Sequence, residues 1–242
     1  LDTQALFPVK NLPEETKLFL QPTKLVQSEN DKIVITAKQL TKNATTLFEA
    51  VNSIINFVTD SVKYTYNPPQ YDALYTLKTR TGNCQNFAHL AIALLRAAGV
   101  PARIVGGISL KEQWKVPAGN GATLVQSMGQ GGHAWLEVFF PDLGWLMYDP
   151  QQTKQFTSTR HIKQTHGLDS NDINDSWQAS PTLPKYEENI DALFENDQIS
   201  LNLESFEESP KSYLLSNYIR VKKKEPALPI TPKQIIEEPI KP

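Results

Sequence analysis

The chain contains a single cysteine, Cys84, placed where an apolar helical pattern begins. A thiol is a poor nucleophile until it ionises, and a helix N-terminus beside an imidazolium lowers a thiol pKa from about 8.5 to roughly 3.5–7.5. A cap at Asn83 or Thr81 would put Cys84 in the first helical turn, near unpaired backbone N–H groups. This position favours a reactive thiol, although a lone cysteine is more often a small buried hydrophobic residue.

A catalytic thiol needs a histidine that takes its proton and an acceptor that orients the imidazole. Of the four histidines, His89 lies on the same helix as the thiol but is rotated off its face. His161 and His166 occur in a polar stretch without a clear pattern. His133 begins a strong strand pattern directly after two glycines, which allow a substrate or another backbone to approach closely. His133 is therefore the predicted general base.

Asp149, at the end of the strand that returns from His133, is the predicted acceptor. If Phe140 faces Trp145 across the turn, the two side chains point to opposite faces of the sheet. If Phe139 faces Trp145, they share one face, two positions out of direct opposition, and a β-bulge would also bring them together. The pairing of His133 with Asp149 therefore requires either the second register or a β-bulge in this hairpin. Taken alone, an Asp before a proline more simply begins a turn.

Four segments of the chain are considered together: Gly82–Cys84, Arg96–Arg103, His133–Val138 and Gly144–Pro150. They read Gly-x-Cys at the start of a helix, Arg-x-x-Gly-x-Pro-Ala-Arg, His-Ala-Trp-x-Glu-Val, and Gly-Trp-x-x-x-Asp-Pro. In these motifs and in their order the chain resembles the transglutaminase-like superfamily. The resemblance covers roughly residues 45–152. One such block would be weak evidence, whereas four in order are strong.

The resemblance implies an α+β fold of the papain-like, transglutaminase-core type, in which a central helix bearing the cysteine packs on an antiparallel sheet. It also implies acyl transfer through a thioester. In that mechanism Cys84 attacks a carboxamide carbon, His133 takes the thiol proton and later passes it to the leaving amine, and Asp149 holds the imidazole tautomer. The Cys84 N–H would stabilise the oxyanion together with a second donor. That second donor has three candidates: Tyr64, Tyr66 and Gln70.

The acyl acceptor decides the reaction, because water gives a peptidase or amidase and a lysine amine gives a protein-crosslinking transglutaminase. We expect hydrolysis of peptide or isopeptide-like amides, since water needs no second substrate site. A non-catalytic module of the same fold that binds protein or peptide is the alternative from another class. The expected partner is a protein or peptide substrate. We expect no cofactor and no metal, because no cluster of His, Cys and carboxylates has ligand spacing.

Periodicity predicts the elements that position these residues. Helical apolar spacing occurs in residues 31–42, 45–63 and 84–98, with a short helix over 74–80. Strand patterns occur in residues 102–110, 133–140 and 145–149, with a short strand near 18–20. We expect a glycine-containing loop over 111–132 and polar turns over 151–180. Asn43 or Thr45 is the expected cap of the second helix.

Composition excludes several classes of protein. With 40% hydrophobic and 21% charged residues, the chain is typical of a soluble globular protein. A net charge of −2 provides no bulk attraction for nucleic acid or an anionic membrane, so neither is an expected partner. No apolar segment approaches the ~20 residues needed to span a bilayer. A single cysteine excludes an intrachain disulfide and leaves the compartment open: exported or periplasmic after removal of a signal segment, or otherwise cytoplasmic.

We divide the chain into four parts. Residues 1–44 are a lead-in segment, 45–180 the catalytic core, 181–221 an extension packed on the core, and 222–242 a tail. The tail begins with three lysines, which we expect to be exposed to solvent rather than to form a binding patch, and it continues with five prolines. This composition is typical of a disordered or linker segment, and we expect it to connect the domain to a partner or a membrane anchor.

Overall fold

The structure is a computed structural model that describes residues 3–109, 113–117, 123–127, 131–151 and 161–173. The predicted extension over 181–221 and the Pro-rich tail over 222–242 lie outside the described residues. Within the described part of the chain, none of the helices has the length and apolar character that crossing a membrane requires.

The helices of the described residues are α1 (Glu14–Lys17), α2 (Asp31–Thr41), α3 (Leu47–Ser61), α4 (Ala73–Thr79) and α5 (Cys84–Ala97). The apolar periodicity therefore predicted α2, α3 and α5 correctly, and α4 matches the expected short helix. The short strand expected near residues 18–20 was wrong, because Leu18–Leu20 form a 3₁₀ turn that continues α1. Thr46, rather than Asn43 or Thr45, caps α3, since the Glu49 side chain returns to the Thr46 N–H in a capping box.

The strands are β1 (Lys63–Tyr64), β2 (Thr81–Gly82), β3 (Ala102–Ser109), β4 (Gln113–Pro117), β5 (Thr123–Ser127), β6 (Gly131–Phe140), β7 (Gly144–Tyr148) and β8 (His161–Gly167). The four strands β7, β6, β3 and β8 form an antiparallel sheet in that order. A short parallel pair joins β1 to β2, and β4 pairs with β5 as an antiparallel hairpin. Two expectations were therefore wrong: the stretch 111–132 contains the β4–β5 hairpin, and the stretch 151–180 contains β8.

The central helix α5 is buried between the other helices and the sheet. It packs on α2, α3 and α4 on one side and on β3 and β6 on the other. Leu90 and Leu94 of the helix are fully buried, as are Ile104 and Leu136, which face each other across β3 and β6. This burial fixes α5 against the sheet. It confirms the predicted α+β arrangement of a cysteine-bearing helix on an antiparallel sheet.

The buried side chain of Arg96 ties together three segments that are distant in sequence. Its guanidinium donates to the backbone carbonyls of Ala102 at 3.0 Å, Gln21 at 2.7 Å and Leu168 at 2.8 Å. Burial lowers the pKa of Arg96 to about 10, against the opposing charge of Asp169. The side chain therefore remains charged at neutral pH, where its hydrogen bonds to neutral carbonyls are strongest.

A charge cluster links the strands through Glu137 of β6. The Glu137 carboxylate pairs with Arg103 of β3 at 2.6 Å and with Lys163 of β8 at 2.7 Å. The Arg103 guanidinium also stacks over the Trp145 ring of β7, 4.0 Å from its centroid. The cluster thus contacts all four strands of the sheet, which indicates that Arg103 and Glu137 hold the strands together.

Candidate active site

Cys84 is the first residue of α5, where the predicted cap is present. The Asn83 side chain accepts a hydrogen bond from the Gln85 N–H at 3.1 Å, and the Asn86 side chain accepts from the Asn83 N–H at 3.2 Å. This capping box fixes the first turn of the helix. Cys84 is a free, partly exposed thiol in that turn, as the sequence predicted.

Asn86, which sequence reasoning missed, anchors the same end of the helix. Its side-chain amide donates to the Gln70 carbonyl at 3.0 Å and to the Thr76 hydroxyl at 2.8 Å. Gly82 lies directly against it, because a Cβ on Gly82 would come within 2.5 Å of the Asn86 Cγ. The glycine two residues before Cys84 is therefore needed to let the helix begin where it does. The capping-box spacing of Asn83 and Asn86 was the signal in the sequence.

The β6–β7 hairpin adopts the second of the two registers considered. Phe139 faces Trp145, so His133 and Asp149 extend from the same face of the sheet. His133 Nε2 lies 2.7 Å from Asp149 Oδ2, and the two side chains are only 6% and 1% exposed. The structure thus brings together the predicted base and the predicted acceptor in a buried hydrogen bond.

The electrostatics of His133 follow from this placement. With Nε2 directed at Asp149, the ring's other nitrogen, Nδ1, is the one available to Cys84. Burial alone would lower the pKa of His133, but the charge of Asp149 and hydrogen bonds to Asp149 and Cys84 outweigh it and raise the pKa to about 10. Burial likewise acts to raise the pKa of Asp149, but hydrogen bonds from His133 and His161 hold it well below its usual value. At neutral pH a cationic imidazole therefore lies between a carboxylate and the Cys84 thiol.

His161 is a member of this cluster that the sequence did not reveal. Its Nε2 lies 2.9 Å from Asp149 Oδ2, the same oxygen that binds His133. The backbone N–H of Gln151 donates to the other oxygen, Oδ1, at 3.1 Å. Sequence reasoning left His161 in a polar segment because only the pairing of β8 with β3 carries it to Asp149.

The same three side chains could also hold a metal ion. Among the described residues, His133, Asp149 and His161 each offer a ligand atom, and these atoms lie within 4.8 Å of one another. No ligand spacing was visible in the sequence because the three residues belong to different strands or strand ends. The separations of 2.7 and 2.9 Å from Asp149 are those of hydrogen bonds. Hydrogen bonding thus satisfies the carboxylate without a metal ion.

The thiol and the imidazole open into a cleft of about 320 Å³. Six of its lining residues are Cys84, His133, Gly106, Gly132, Gln164 and Ile173. Ile173 closes one wall by packing on Gly106, where an added Cβ would lie 3.0 Å from the Ile173 Cβ. Gly132 borders open space, since a Cβ added there would meet nothing within 4 Å. The cleft is large enough for a side chain and adjoining backbone of a peptide.

The two remaining histidines have other roles. His89 Nδ1 lies 2.6 Å from the Tyr71 carbonyl, and its Nε2 accepts from the Ser170 N–H at 3.1 Å. These partners require the neutral form with the proton on Nδ1, and burial accordingly lowers the pKa of His89. His166 is exposed on β8, near the ring of Phe19. Neither of them contacts Asp149, so both lie apart from the site. The two hydrogen bonds of His89 give it a structural role instead.

Of the three candidates for the second oxyanion donor, Tyr64 lies beside the thiol. β1 pairs Tyr64 with Gly82, two residues before Cys84. Desolvation and the charge of Cys84 raise the pKa of Tyr64, so its hydroxyl stays protonated and able to donate. Tyr66 is 85% exposed, and Gln70 contributes its backbone carbonyl to Asn86. The identity of the second donor stays a prediction.

Comparison with known proteins shows which proteins this chain resembles. Residues 35–150 match the model of the transglutaminase-like superfamily. An uncharacterised Bacillus subtilis protein, YebA, is 28% identical over 178 residues, which are 70% of this chain and 24% of that protein. A protein-glutamine gamma-glutamyltransferase of Pseudomonas aeruginosa is 40% identical over 91 residues, 36% of this chain and 13% of that protein. The chain thus spans less than a quarter of either curated relative.

A solved structure supports the same conclusion. The chain superposes on a candidate cysteine protease from Cytophaga hutchinsonii with a TM-score of 0.56 and 26% identity, covering 70% of this chain and 53% of that one. The family resemblance seen in the four sequence segments and the predicted papain-like, transglutaminase-core α+β fold are both confirmed.

Proposed function

We propose that this chain, whose residues 35–150 belong to the transglutaminase-like superfamily, is a cysteine-dependent acyl-transfer enzyme acting on peptide or isopeptide-like amides. The observation that carries the proposal is the buried hydrogen bond of His133 to Asp149, beside a cleft that His133 and Cys84 both line. A thiol, a base within reach of it and an acceptor that orients the base are the groups that nucleophilic acyl transfer requires.

In the proposed reaction the Cys84 proton is already held by the cationic His133 when the sulfur attacks the carbonyl carbon of a carboxamide. The C=O electron pair moves onto oxygen, where the Cys84 backbone N–H and a second donor stabilise the charge. Collapse of this intermediate breaks the C–N bond, and His133 gives its proton to the departing amine. Cys84 is then left as a thioester.

The second half of the reaction releases the acyl group. Water attacks the thioester carbon while His133 accepts its proton, and the C–S bond breaks to return a carboxylic acid and the Cys84 sulfur. Asp149 keeps the imidazole in the orientation in which Nδ1 faces the sulfur, and it stabilises the imidazolium cation in each half. A primary amine in place of water would give a new amide instead.

Hydrolysis is the outcome we favour, because water needs no second binding site and because the superposed Cytophaga structure is a candidate cysteine protease. Protein crosslinking is the second candidate, supported by the Pseudomonas relative named as a protein-glutamine gamma-glutamyltransferase. A non-catalytic binding module would have no need for a charged, buried His133–Asp149 pair, because burying such a pair carries a desolvation cost.

One experiment distinguishes hydrolysis, crosslinking and a non-catalytic binding module. Wild-type protein and Cys84→Ala are incubated with a library of glutamine-containing peptides, with and without a fluorescent primary amine, and the products are identified by mass spectrometry. Peptide cleavage or conversion of glutamine to glutamate that requires Cys84 supports hydrolysis, and amine adducts support crosslinking. Products at equal levels in both proteins would refute the enzyme proposal, and peptide binding retained by both would then favour the binding module.

A further inference from the structure

We infer that His161 is a positioning residue of this site, which holds the Asp149 carboxylate in the orientation that His133 requires. The inference rests on the proposed function, because it assigns His161 a role within the same reaction. It is carried by the contacts of one carboxylate and by the packing of one imidazole.

The backbone alone does not fix Asp149. β7 ends at Tyr148, so Asp149 comes after the last residue that the sheet pairs, and a turn follows. Among the described residues, three hydrogen bonds hold its carboxylate instead: Oδ2 accepts from His133 at 2.7 Å and from His161 at 2.9 Å, and Oδ1 accepts from the Gln151 N–H at 3.1 Å. Without His161, the only side chain among these donors would be His133, whose bond must adjust as the base gains and loses its proton.

His161 itself is held firmly. It begins β8, where it pairs with Ser109 of β3, and its side chain is 0% exposed. The Trp135 ring packs against it edge-on, with ring centroids 5.0 Å apart and an angle of 77° between the planes. Among the described residues that line the cleft, His161 is absent. Its ring lies beside Asp149 and His133, so it acts on a bound substrate through these two residues, as a positioning residue rather than a catalytic one.

His161 also adjusts the charge of the site. The titratable groups facing Asp149 among the described residues are His133 from β6 and His161 from β8, with Cys84 of α5 beyond His133. Two N–H donors on one oxygen favour the ionised carboxylate, so Asp149 keeps its charge to lower pH than a single donor would allow. Because the three groups of the triad titrate as a coupled set, losing this donor raises the pH at which the whole set becomes protonated.

The test compares His161→Leu, which removes the donor, with His161→Gln, whose amide nitrogen donates from nearly the same position as Nε2. His166→Leu on the same strand is the matched control, because His166 does not contact Asp149. The rate of Cys84 alkylation by iodoacetamide is followed across pH 4–10 by intact mass, which needs no substrate. Thermal melting of each variant is measured alongside.

We expect His161→Leu to slow alkylation at pH 6 about 10- to 100-fold, the cost of a misplaced base. The acid limb of its profile should move up by about one pH unit, the effect of losing one hydrogen bond to a charge. His161→Gln should recover the rate to within about 3-fold of wild type, and His166→Leu should match wild type. This pattern would support the inference, since loss of packing alone does not move a pH profile.

Two results would overturn it. If His161→Leu keeps the wild-type profile while His133→Ala slows alkylation, the Cys84–His133 pair stands and His161 has no positioning role. If His161→Leu and His161→Gln slow alkylation equally, in proportion to lost thermal stability, the role of His161 is structural only. A wild-type profile that does not change in His133→Ala would instead refute the proposed function, and the positioning role would fail with it.

Discussion

We expect substitution of Gly107 by alanine to destabilise the protein, because β8 approaches this residue too closely to leave room for a side chain. Gly107 of β3 pairs with His133 on one side, and the pairing with β8 shifts register between Gly106 and Gly107 on the other. A Cβ at Gly107 would overlap the carbonyl oxygen of Ile162 and lie 2.7 Å from the Trp135 ring. Both obstacles are rigid: one is the backbone of β8, and the other is a fully buried indole.

The size of the effect follows from this overlap. A carbon atom and a carbonyl oxygen ordinarily come no closer than about 3.3 Å, so the strands must separate to admit the methyl group. Inserting one methyl group into a close-packed interior costs about 1–3 kcal/mol. For a domain of roughly 150–250 residues this lowers the melting temperature by about 2–12 °C. Displacing Ile162 also displaces its neighbour His161 and, through Trp135, the support of His133, so alkylation of Cys84 should slow at least about 10-fold.

Gly132→Ala is the matched control. Gly132 also lines the cleft, but a Cβ there would meet nothing within 4 Å. We expect this variant to melt within about 1 °C of wild type and to keep its alkylation rate, as is usual for surface substitutions. Melting is followed by circular dichroism and alkylation by intact mass. The reasoning is refuted if Gly107→Ala melts like the wild type, or if Gly132→Ala loses as much stability as Gly107→Ala.

Three further predictions concern charge and hydrogen bonding. Asp149→Asn should reduce kcat about 10³- to 10⁴-fold with little change in KM, measured on a substrate from the peptide screen, because the imidazole loses its orienting charge. The pKa of His133 is raised to about 10, so its charge stabilises the folded wild type relative to His133→Gln. In urea unfolding this difference in stability should be complete below about pH 6.5 and should disappear as pH rises through about 10. A difference that stays constant with pH would contradict this. Arg96→Met should cost at least about 2 kcal/mol in the same assay, since it leaves the buried Ala102 carbonyl and the partly buried Gln21 and Leu168 carbonyls without their donor; a cost under about 1 kcal/mol would refute that role.

Local patterns were enough to predict the parts of the site that lie on strongly patterned elements. The capping residues and apolar period of α5 placed Cys84 in the first turn, and the alternation of β6 and β7 placed His133 and Asp149 on one hairpin. Local patterns did not choose between the two hairpin registers, because the choice depends on how the turn closes. The observed pairing of Phe139 with Trp145 settled that register.

The contribution of β8 could not be predicted, for a physical reason. β8 lies at an edge of the sheet, and Lys163 and Gln164 are exposed, so the strand lacks the apolar alternation by which strands are recognised. His161 is buried only because β8 pairs with β3, more than fifty residues earlier in the chain. The β4–β5 hairpin was missed similarly, as two five-residue strands within a stretch whose glycines suggested a loop.

The contacts of Arg96 indicate which residues the domain needs in order to fold on its own. The family match begins at residue 35 and ends at residue 150, but two of the three carbonyls that Arg96 binds belong to Gln21 and Leu168, outside that range. A chain cut to the matched residues would leave the Arg96 guanidinium with the Ala102 carbonyl alone of its three acceptors, and it would also lack β8. The segments before and after the motif region should therefore unfold cooperatively with it, and expression boundaries need to include both. The sequence signature of this domain is shorter than the domain itself.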